Sequence, residues 1–467
     1  MRRLAAPLSP RPPALSSALL SPAAHLSGTH RRRLTLPSGA PPSGELPAAC
    51  DVLIIGGGVV GNSVAYHLAH ARGTGDGIVV VERDPTYKSA SAVLSAGGIR
   101  QQFGVKENVQ MSVYGAQFVK AAPTLLRVDG CDDEVDLQFQ ERGYLFLASS
   151  EAGRQTLLRN HETQRAAGVD WMRLLSPTEL SSRFPWLTTD DVVLGSLGTA
   201  NEGWFDPWAL LRGLRRKAAS LGVKFLHGRP VGAARDGPKV AAVDVELHGG
   251  AAVRLAPRAV VNAAGAHARH ALDCLSGGGV AALPVSGRKR CIFHFRAAPP
   301  PTPHHATPLP SAPLVIDASG VYFRPEGRGS DTYLCGVSPD AADDEEVSDP
   351  SLLTVGEAEH SKLFDALIWP ALYERVEAFG ALKVQSSWAG LYEYNTLDQN
   401  ALIGWHPQLT NLMLANGFSG HGLQHSPAAG RAVAELIDHG RFVTLDLEVF
   451  SFDRIARGEL IYEPGIV

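Results

Sequence analysis

Cysteine is scarce in this chain. The five residues, Cys50, Cys131, Cys274, Cys291 and Cys335, are scattered, odd in number and include no CxxC pair. Such usage argues against a disulfide framework and against a zinc or iron–sulfur site, so no metal is expected and the thiols read as reduced packing residues. Long apolar runs are missing too. Nothing approaches the roughly 18 consecutive apolar residues of a membrane-spanning helix, so no transmembrane segment is expected and any membrane association would be peripheral. Excess positive charge is absent: 43 Lys and Arg stand against 47 Asp and Glu, a net charge of −4, and nothing points to a nucleic-acid partner. Acids are missing in one place. Residues 1–44 hold no Asp or Glu but six arginines (Arg2, Arg3, Arg11, Arg31, Arg32 and Arg33), and the first acid is Glu45. An arginine-rich, serine-rich, acid-free leader has the composition of a mitochondrial transit peptide, the plain alternative being a disordered basic tail. Without those six charges the remainder carries −10, that is −4 minus 6, which suits the basic pH of the matrix.

What is present is glycine, and it is concentrated where it can be read. The 467 residues are 45% hydrophobic and 19% charged, enough for about two to three domains with large cores. A short apolar strand at residues 52–55 runs into Gly56-Gly57-Gly58-Val59-Val60-Gly61. A helical stretch follows, then a second strand at 78–81 that ends in Glu82. This is a βαβ dinucleotide fingerprint with its acidic partner in place. Gly56 permits the tight turn, Gly58 removes the side chain that would block a pyrophosphate, and Gly61 lets the helix lie close on the strand. The free N–H groups of the helix N-terminus face the phosphate. Glu82 is placed to accept hydrogen bonds from ribose hydroxyls, with Arg83 beside it. A carboxylate there argues for a free 2′-hydroxyl, hence FAD or NAD rather than NADP. A Gly-rich loop joining two core elements would explain the glycines but not Glu82.

Residues 89–98 form a small-residue loop that includes Ser91 and Gly98 and can lie against a flat cofactor; the bland alternative is a flexible connector. A helix is predicted near 108–119 and a strand at 144–148, and residues 150–222 read as helical. Ser176-Pro177-Thr178-Glu179 has the spacing of a capping box, and Asp206-Pro207 opens another helix in the same way. Strand patterns at 223–263, 284–295, 320–324 and 333–337 suggest a second domain on a mixed or antiparallel sheet. The Pro-rich stretch 297–313, with His304 and His305, and the acidic stretch 341–350 read as surface loops, as partner sites or as tolerated insertions. A buried strand at 412–416, the turn Gly417-Phe418-Ser419-Gly420-His421-Gly422 and a helix starting near Pro427 present another helix N-terminus to an anion.

These motifs resemble the D-amino-acid oxidase family of FAD proteins. The resemblance is carried by Gly56-x-Gly58-x-x-Gly61 with Glu82, by Val260-Val261-Asn262-Ala263-Ala264-Gly265-Ala266, by Trp388-Ala389-Gly390-Leu391 and by Gly417–Gly422. Segments of glycine oxidase, sarcosine oxidase and the dimethylglycine and sarcosine dehydrogenases look similar. It implies an α/β fold with a discontinuous Rossmann-like FAD-binding domain (near 51–125, 200–275 and 400–440) and a mixed or antiparallel-sheet substrate-type domain (near 135–190 and 283–395), within an oxidoreductase region 51–467. It also implies contacts to FAD from Ala264, Gly265, Gly417, Ser419, Gly420 and Gly422. Segments 201–208, 384–390, 392–400 and 417–424 more closely resemble a mitochondrial branch of the family needed for assembly of respiratory complex I. That narrower resemblance implies a matrix location and contact with complex I assembly intermediates.

The departures from active relatives are at the substrate. Where glycine oxidase has an arginine for the substrate carboxylate, this chain has Tyr392, and where sarcosine oxidase has a lysine, it has Gln424. Arg100 or the run Arg288-Lys289-Arg290 could take over that task. The candidates for catalysis are therefore His421, Tyr392 and Arg100. His421 would line the flavin pocket and tune it or relay a proton, or else be a hydrogen-bonding residue fixed by the turn. Residues 89–98 contain no Cys or His to attach a flavin, so noncovalent FAD is expected. Two functions remain in view: assembly of complex I with FAD as a stabilising cofactor, and oxidation of a C–N bond in a small amine or amino acid by hydride transfer to flavin. An oxidase that releases peroxide is disfavoured, since oxygen-using relatives place a lysine near the flavin and no clear equivalent is seen.

Overall fold

Strands that are apolar on both faces must be covered on both faces, and the first strand pair sets the architecture this way: Val52, Leu53 and Ile54 have no exposed surface at all. The computed structural model describes residues 48–131, 134–298, 308, 310–327, 331–339 and 342–464. The acid-free segment 1–44 and the pair His304 and His305 lie outside the described residues.

The chain runs β1 (Ala49–Ile55), α1 (Val59–Arg72), β2 (Ile78–Glu82), β3 (Gly98–Ile99) and α2 (Lys106–Leu125). Next come β4 (Tyr144–Ala148), α3 (Glu151–Ala166), β5 (Met172–Leu175), α4 (Pro177–Arg183), β6 (Leu194–Gly198), β7 (Gly203–Trp204) and α5 (Pro207–Ser220). Strands β8 (Lys224–Asp236), β9 (Lys239–Leu247) and β10 (Ala252–Asn262) form a meander, and α6 (Ala268–Ser276) follows. The later part holds β11 (Val285–Arg296), β12 (Leu314–Ile316), β13 (Tyr322–Glu326) and β14 (Thr332–Gly336). Then α7 (Glu357–Glu359) passes through a π-helical stretch into α8 (Trp369–Arg375). Last are β15 (Lys383–Asn395), β16 (Leu402–His406), β17 (Leu409–Asn416), α9 (Gly422–His439) and α10 (Asp453–Arg457).

Two sheets organise these elements. In the first, β8, β2, β1, β10 and β17 lie side by side in parallel, and β16 joins antiparallel at the edge. Helices α1, α2, α5 and α9 cover one face. The β8–β9–β10 meander and α6 cover the other. The second sheet has the order β15-β11-β14-β13-β12-β4-β6-β5. Its core is aromatic: the Phe379 ring meets Phe295, Phe323 and Tyr333 edge-on at 4.9 to 5.4 Å between centroids.

Local signals act where the sequence puts them. Ser176 and Glu179 close a reciprocal capping box around Pro177, and the Asp206 side chain accepts from the Trp208 and Ala209 amides to start α5. Three readings need correction. Residues 150–222 are not wholly helical but include β5, β6 and β7; β6 reads Leu-Gly-Ser-Leu-Gly, with no β-branched residue to announce it. The strands within 223–263 extend the first sheet rather than building the second domain. Helix α9 begins at Gly422, five residues before Pro427. A proline inside a helix leaves one carbonyl without its donor; here the Ser426 hydroxyl donates to the Leu423 carbonyl at 2.9 Å in its place.

Among the described residues, the most deeply buried ion pair ties the last part of the chain to this frame. Arg454 and Asp398 side chains are 2% and 0% exposed and pair at 2.8 Å. Asp398 also accepts from Asn395 Nδ2 at 2.9 Å and from the Asn400 amide at 3.1 Å. Removing one partner strands the other charge without water, at a cost of about 3 to 5 kcal/mol. Asp398→Ala is therefore expected to lower the unfolding free energy by about that much in chemical denaturation; a loss under about 1 kcal/mol, the size of an exposed pair, would show that the network is redundant.

Candidate functional site

The carboxyl ends of β1 and β10 bring two turns together. Gly56 has φ +98°, and a Cβ there would overlap the Ala263 carbonyl oxygen. Gly61, in the first turn of α1, lies so close to the strand that a Cβ would overlap the Gly56 carbonyl oxygen. Gly58 is different: a Cβ there would meet nothing within 4 Å, because it faces open space. No side chain caps the N-terminus of α1, so its first amides are left for a ligand.

That space is a cavity of about 350 Å³. Gly56, Gly58, Glu82, Arg83 and Ser91 line it, with Ala264 and Gly265 from the second turn. It reaches to Tyr392, Glu393, Gly420 and Gly422. Gly61, Gly98, Gly417 and Ser419 stand behind the wall. Gly98 leaves room for the Tyr144 hydroxyl, which a Cβ would overlap. Ser419, held at φ +45°, is fully buried and accepts from the Asn395 amide at 3.0 Å. These residues shape the turns and do not face the cavity.

Glu82 accepts from the Gly57 and Asp84 amides, each at 2.8 Å. Each carboxylate oxygen keeps a lone pair for a ribose hydroxyl. Burial pushes its carboxyl up, and the two amides oppose that shift. At the same end, Arg83 Nη2 donates to His267 Nε2 at 2.8 Å. Burial first, then Arg83, push the imidazole down to about 4, so it is neutral and carries its proton on Nδ1.

At the far end Tyr392 lies on Gly420, where a Cβ would overlap the ring. The Arg290 guanidinium sits over the same ring, 4.6 Å from its centroid. Burial holds the Tyr392 phenol at about 12, protonated at any ordinary pH. Arg290 is already matched: Asp344 of the acidic loop grips it through two hydrogen bonds at 2.6 and 2.9 Å. Lys289 pairs with Glu359 at 2.7 Å, and Arg288 donates to the Asp344 carbonyl. The Arg288-Lys289-Arg290 run is thus paired within the chain and does not serve as the substitute carboxylate anchor.

Arg100 is the arginine that remains. It is 7% exposed and makes no ion pair among the described residues. Its Nη2 donates to His421 Nε2 at 3.1 Å, its Nη1 donates to the Gln102 carbonyl, and its guanidinium lies 4.4 Å from the Phe103 ring centroid and 5.0 Å from that of Phe146. Since arginine only donates, His421 Nε2 is the acceptor and its Nδ1 carries the proton. Burial, then Arg100, hold His421 well below its usual value, so it is a neutral acceptor that orients Arg100. Neither His421 nor Arg100 lines the cavity; Arg100 lies behind the wall at the Gly420 and Gly422 end, bonded to His421 between them.

Two neighbours fix Arg100 in place. Gln424 Oε1 accepts from the Arg100 amide at 2.9 Å and from Ser112 Oγ at 3.0 Å. Glu202, wholly buried, accepts from the Gln101 amide and from Gln102 Nε2 at 2.9 Å. The sequence reading singled out neither Glu202 nor Glu393. The only sequence signal for Glu202 is that Gly203, Trp204 and Phe205 follow it directly.

A family profile described as "DAO: FAD dependent oxidoreductase" matches residues 51–436. The chain belongs to this family. Its cofactor is FAD, which the open face at Gly58, the uncapped α1 and the free lone pairs of Glu82 fit. A Xenopus laevis protein named FAD-dependent oxidoreductase domain-containing protein 1 is 43% identical over 454 residues, covering 91% of this chain and 87% of that protein. A Drosophila melanogaster homologue of the same name is 36% identical over 436 residues, covering 89% and 80%. Among solved structures, L-proline dehydrogenase from P. horikoshii superposes with a TM-score of 0.72 at 27% identity, over 89% of this chain and all of that one. Among the described residues no helix is long and apolar enough to cross a membrane, and no cluster of His, Cys, Asp and Glu could hold a metal ion.

Two outcomes are expected. Gly58→Asp should fold, because the site has room, yet purify with far less than one flavin per chain, because a carboxylate would occupy the pyrophosphate path; stoichiometric flavin in the variant would contradict this use of the cavity. Glu202, pushed up to about 7 by burial, should also mark the pH dependence of stability. Its folded value lies above its unfolded one, so its stabilising contribution is complete below about pH 4.5 and is lost as pH rises through about 7. Wild type should therefore lose on the order of 3 kcal/mol relative to Glu202→Gln between pH 5 and 8; parallel stability curves for the two proteins would contradict it.

Proposed function

We propose that this chain is an FAD-dependent oxidoreductase that oxidises the C–N bond of a small amine bearing a carboxylate, an amino acid or N-substituted amino acid. The observation that carries the reading is Arg100. A buried guanidinium with no ion pair is costly, and its neighbouring carboxylates do little to offset it. Burial raises the Glu202 carboxyl to about 7 and also raises that of Glu463, and Arg100 opposes both shifts. A substrate carboxylate would complete the pair with a charge-assisted bond.

Bound FAD supplies hydride acceptance. The chain's residues supply the rest. Arg100 holds the carboxylate, and His421 and the Gln102 carbonyl fix the direction of the guanidinium. Phe103 and Phe146 keep water from it, which strengthens the contact. Neither His421 nor Tyr392 is charged near neutral pH, so neither supplies an ionised group to the substrate amine.

A second reading is favoured by a different observation, the 43% identity to the Xenopus laevis protein over nearly its whole length, together with the loss of the usual anchors at Tyr392 and Gln424. In this reading the chain resides in the mitochondrial matrix, peripheral to the inner membrane, and serves the assembly of respiratory complex I through contact with its assembly intermediates. Unchanged complex I on native gels of mitochondria lacking this chain would remove it.

The enzymatic reading is tested by anaerobic mixing of the FAD-loaded protein with N-methyl, cyclic and D-amino acids while following loss of oxidised flavin absorbance. One compound is expected to bleach the flavin. Arg100→Met should then raise the concentration needed by roughly 100-fold, the worth of one charge-assisted bond, with flavin content unchanged. Bleaching by none, with FAD still bound, would leave the assembly reading.

A further inference from the structure

Glu393 is a carboxylate on the cavity wall that neither the fingerprint nor the substrate reading uses. It stands on β15 at the point where this strand packs on the Gly265–His267 turn and on the loop before α9. Its Oε2 accepts from the Gly417 amide at 3.2 Å and lies 3.6 Å from where a Gly265 Cβ would be. Its Oε1 lies 3.0 Å from where a Gly422 Cβ would be, at the first residue of α9. No side chain caps that helix. So one cavity is faced by two uncapped helix N-termini. The first, α1, lies with the Gly56–Gly61 turn, where the pyrophosphate belongs, and Glu82 marks the ribose end. The flavin ring therefore belongs at the opposite end, with Tyr392, Glu393 and Gly420.

The charged groups on the surrounding elements leave Glu393 alone. From β11, Gly287 pairs with it across the sheet. Arg288 next to Gly287 turns to the Tyr394 ring and the Asp344 carbonyl. His267 of the adjoining turn is neutral and held by Arg83, and His421 of the α9 loop is neutral and held by Arg100. Glu393 makes no ion pair among the described residues. Its carboxyl answers to burial, which raises it to about 7, and to the Gly417 and Phe418 amides, which oppose that rise.

We propose that Glu393 couples reduction of the bound flavin to a proton: the Glu393 carboxylate takes up one proton from solvent when the flavin takes up charge. Oxidised flavin, two electrons and one proton give the singly negative reduced flavin. That new charge would arise beside Glu393, and two adjacent negative charges are disfavoured. A second proton therefore binds to the Glu393 carboxylate as the two electrons arrive from an external reductant. The uncapped α9 terminus stabilises negative charge, but with Glu393 ionised that field is already partly used. Proton uptake by Glu393 frees it for the reduced cofactor.

The test is the midpoint potential of the FAD-loaded protein, titrated with a reduced dye between pH 6 and 9. Each proton that accompanies two electrons contributes about 30 mV per pH unit. Above pH 7.5 the wild type is expected to fall by about 60 mV per unit and Glu393→Gln by about 30 mV per unit, with the variant the more easily reduced and the two converging below about pH 6. Equal slopes, or a variant harder to reduce at pH 9, would overturn the proposal. A measurement that needs no variant is the reduced-minus-oxidised infrared difference spectrum of the wild type at pH 8. A new protonated-carboxyl band is expected on reduction, and its absence would overturn the proposal independently of whether Glu393→Gln folds or keeps its flavin.

Discussion

The contact on which the rest depends is the near-touch of two backbone turns, Gly56 against the Ala263 carbonyl. It follows from the parallel pairing of β1 with β10, which sets Ile55 beside Asn262. Once these strands are in register, the chain leaves both at the same level. One exit begins α1, the other the Gly265 turn, and the cavity is the gap between them. No side chain can enter this junction, so its shape is decided by main chain alone. The α9 turn extends the same wall because β17 pairs beside β10.

Around this gap the chain manages charge by burial more than by pairing. Glu82, Glu202, Glu393 and Glu463 are all pushed toward the neutral form, and His67, His267, His421 and His425 are pushed the same way from the other side. Arginine does not follow, because its guanidinium stays protonated in any such setting. Where an arginine is buried, the chain either supplies a full partner, as Asp398 does for Arg454, or a set of acceptors and rings, as around Arg100. The Arg290–Asp344 grip belongs to the first kind, so the acidic loop acts as an internal counter-ion beside Tyr392.

The FAD half of this arrangement was legible because its chemistry is local. Gly56, Gly58, Gly61 and Glu82 lie on one βαβ unit, and each has a reason that holds before any tertiary contact forms. Caps at Ser176 and Asp206 are legible on the same ground. The far end was not. Glu393 and Tyr392 are neighbours in sequence, yet what they do is set by Gly420, Gly265 and Arg290, which arrive from three other elements. Gln424 read as a lost lysine, whereas it holds the backbone of Arg100, 324 positions away in the chain. The roles of Arg288, Lys289 and Arg290 depended on a loop more than fifty positions downstream, and charge patterning alone could not say that it would fold back on them. Strands β5, β6 and β7 escaped because short, weakly patterned segments, Gly-rich in β6 and β7, become strands only when a neighbour supplies the ladder.

The segment 459–464 adds a consequence in time. Glu463 accepts from the Gly104 and Val105 amides and from Asn108 Nδ2 at the start of α2, and Asn108 in turn donates to Asn400. A chain that emerges from its N-terminus displays the phosphate turn within its first hundred residues. Tyr392, Glu393 and Gly420, which line the far end of the cavity, come more than three hundred positions after that turn, and Glu463 later still. The nucleotide half of the cofactor can thus find its contacts long before the flavin half has a finished wall, and the order in which the chain appears is also the order in which FAD can be grasped.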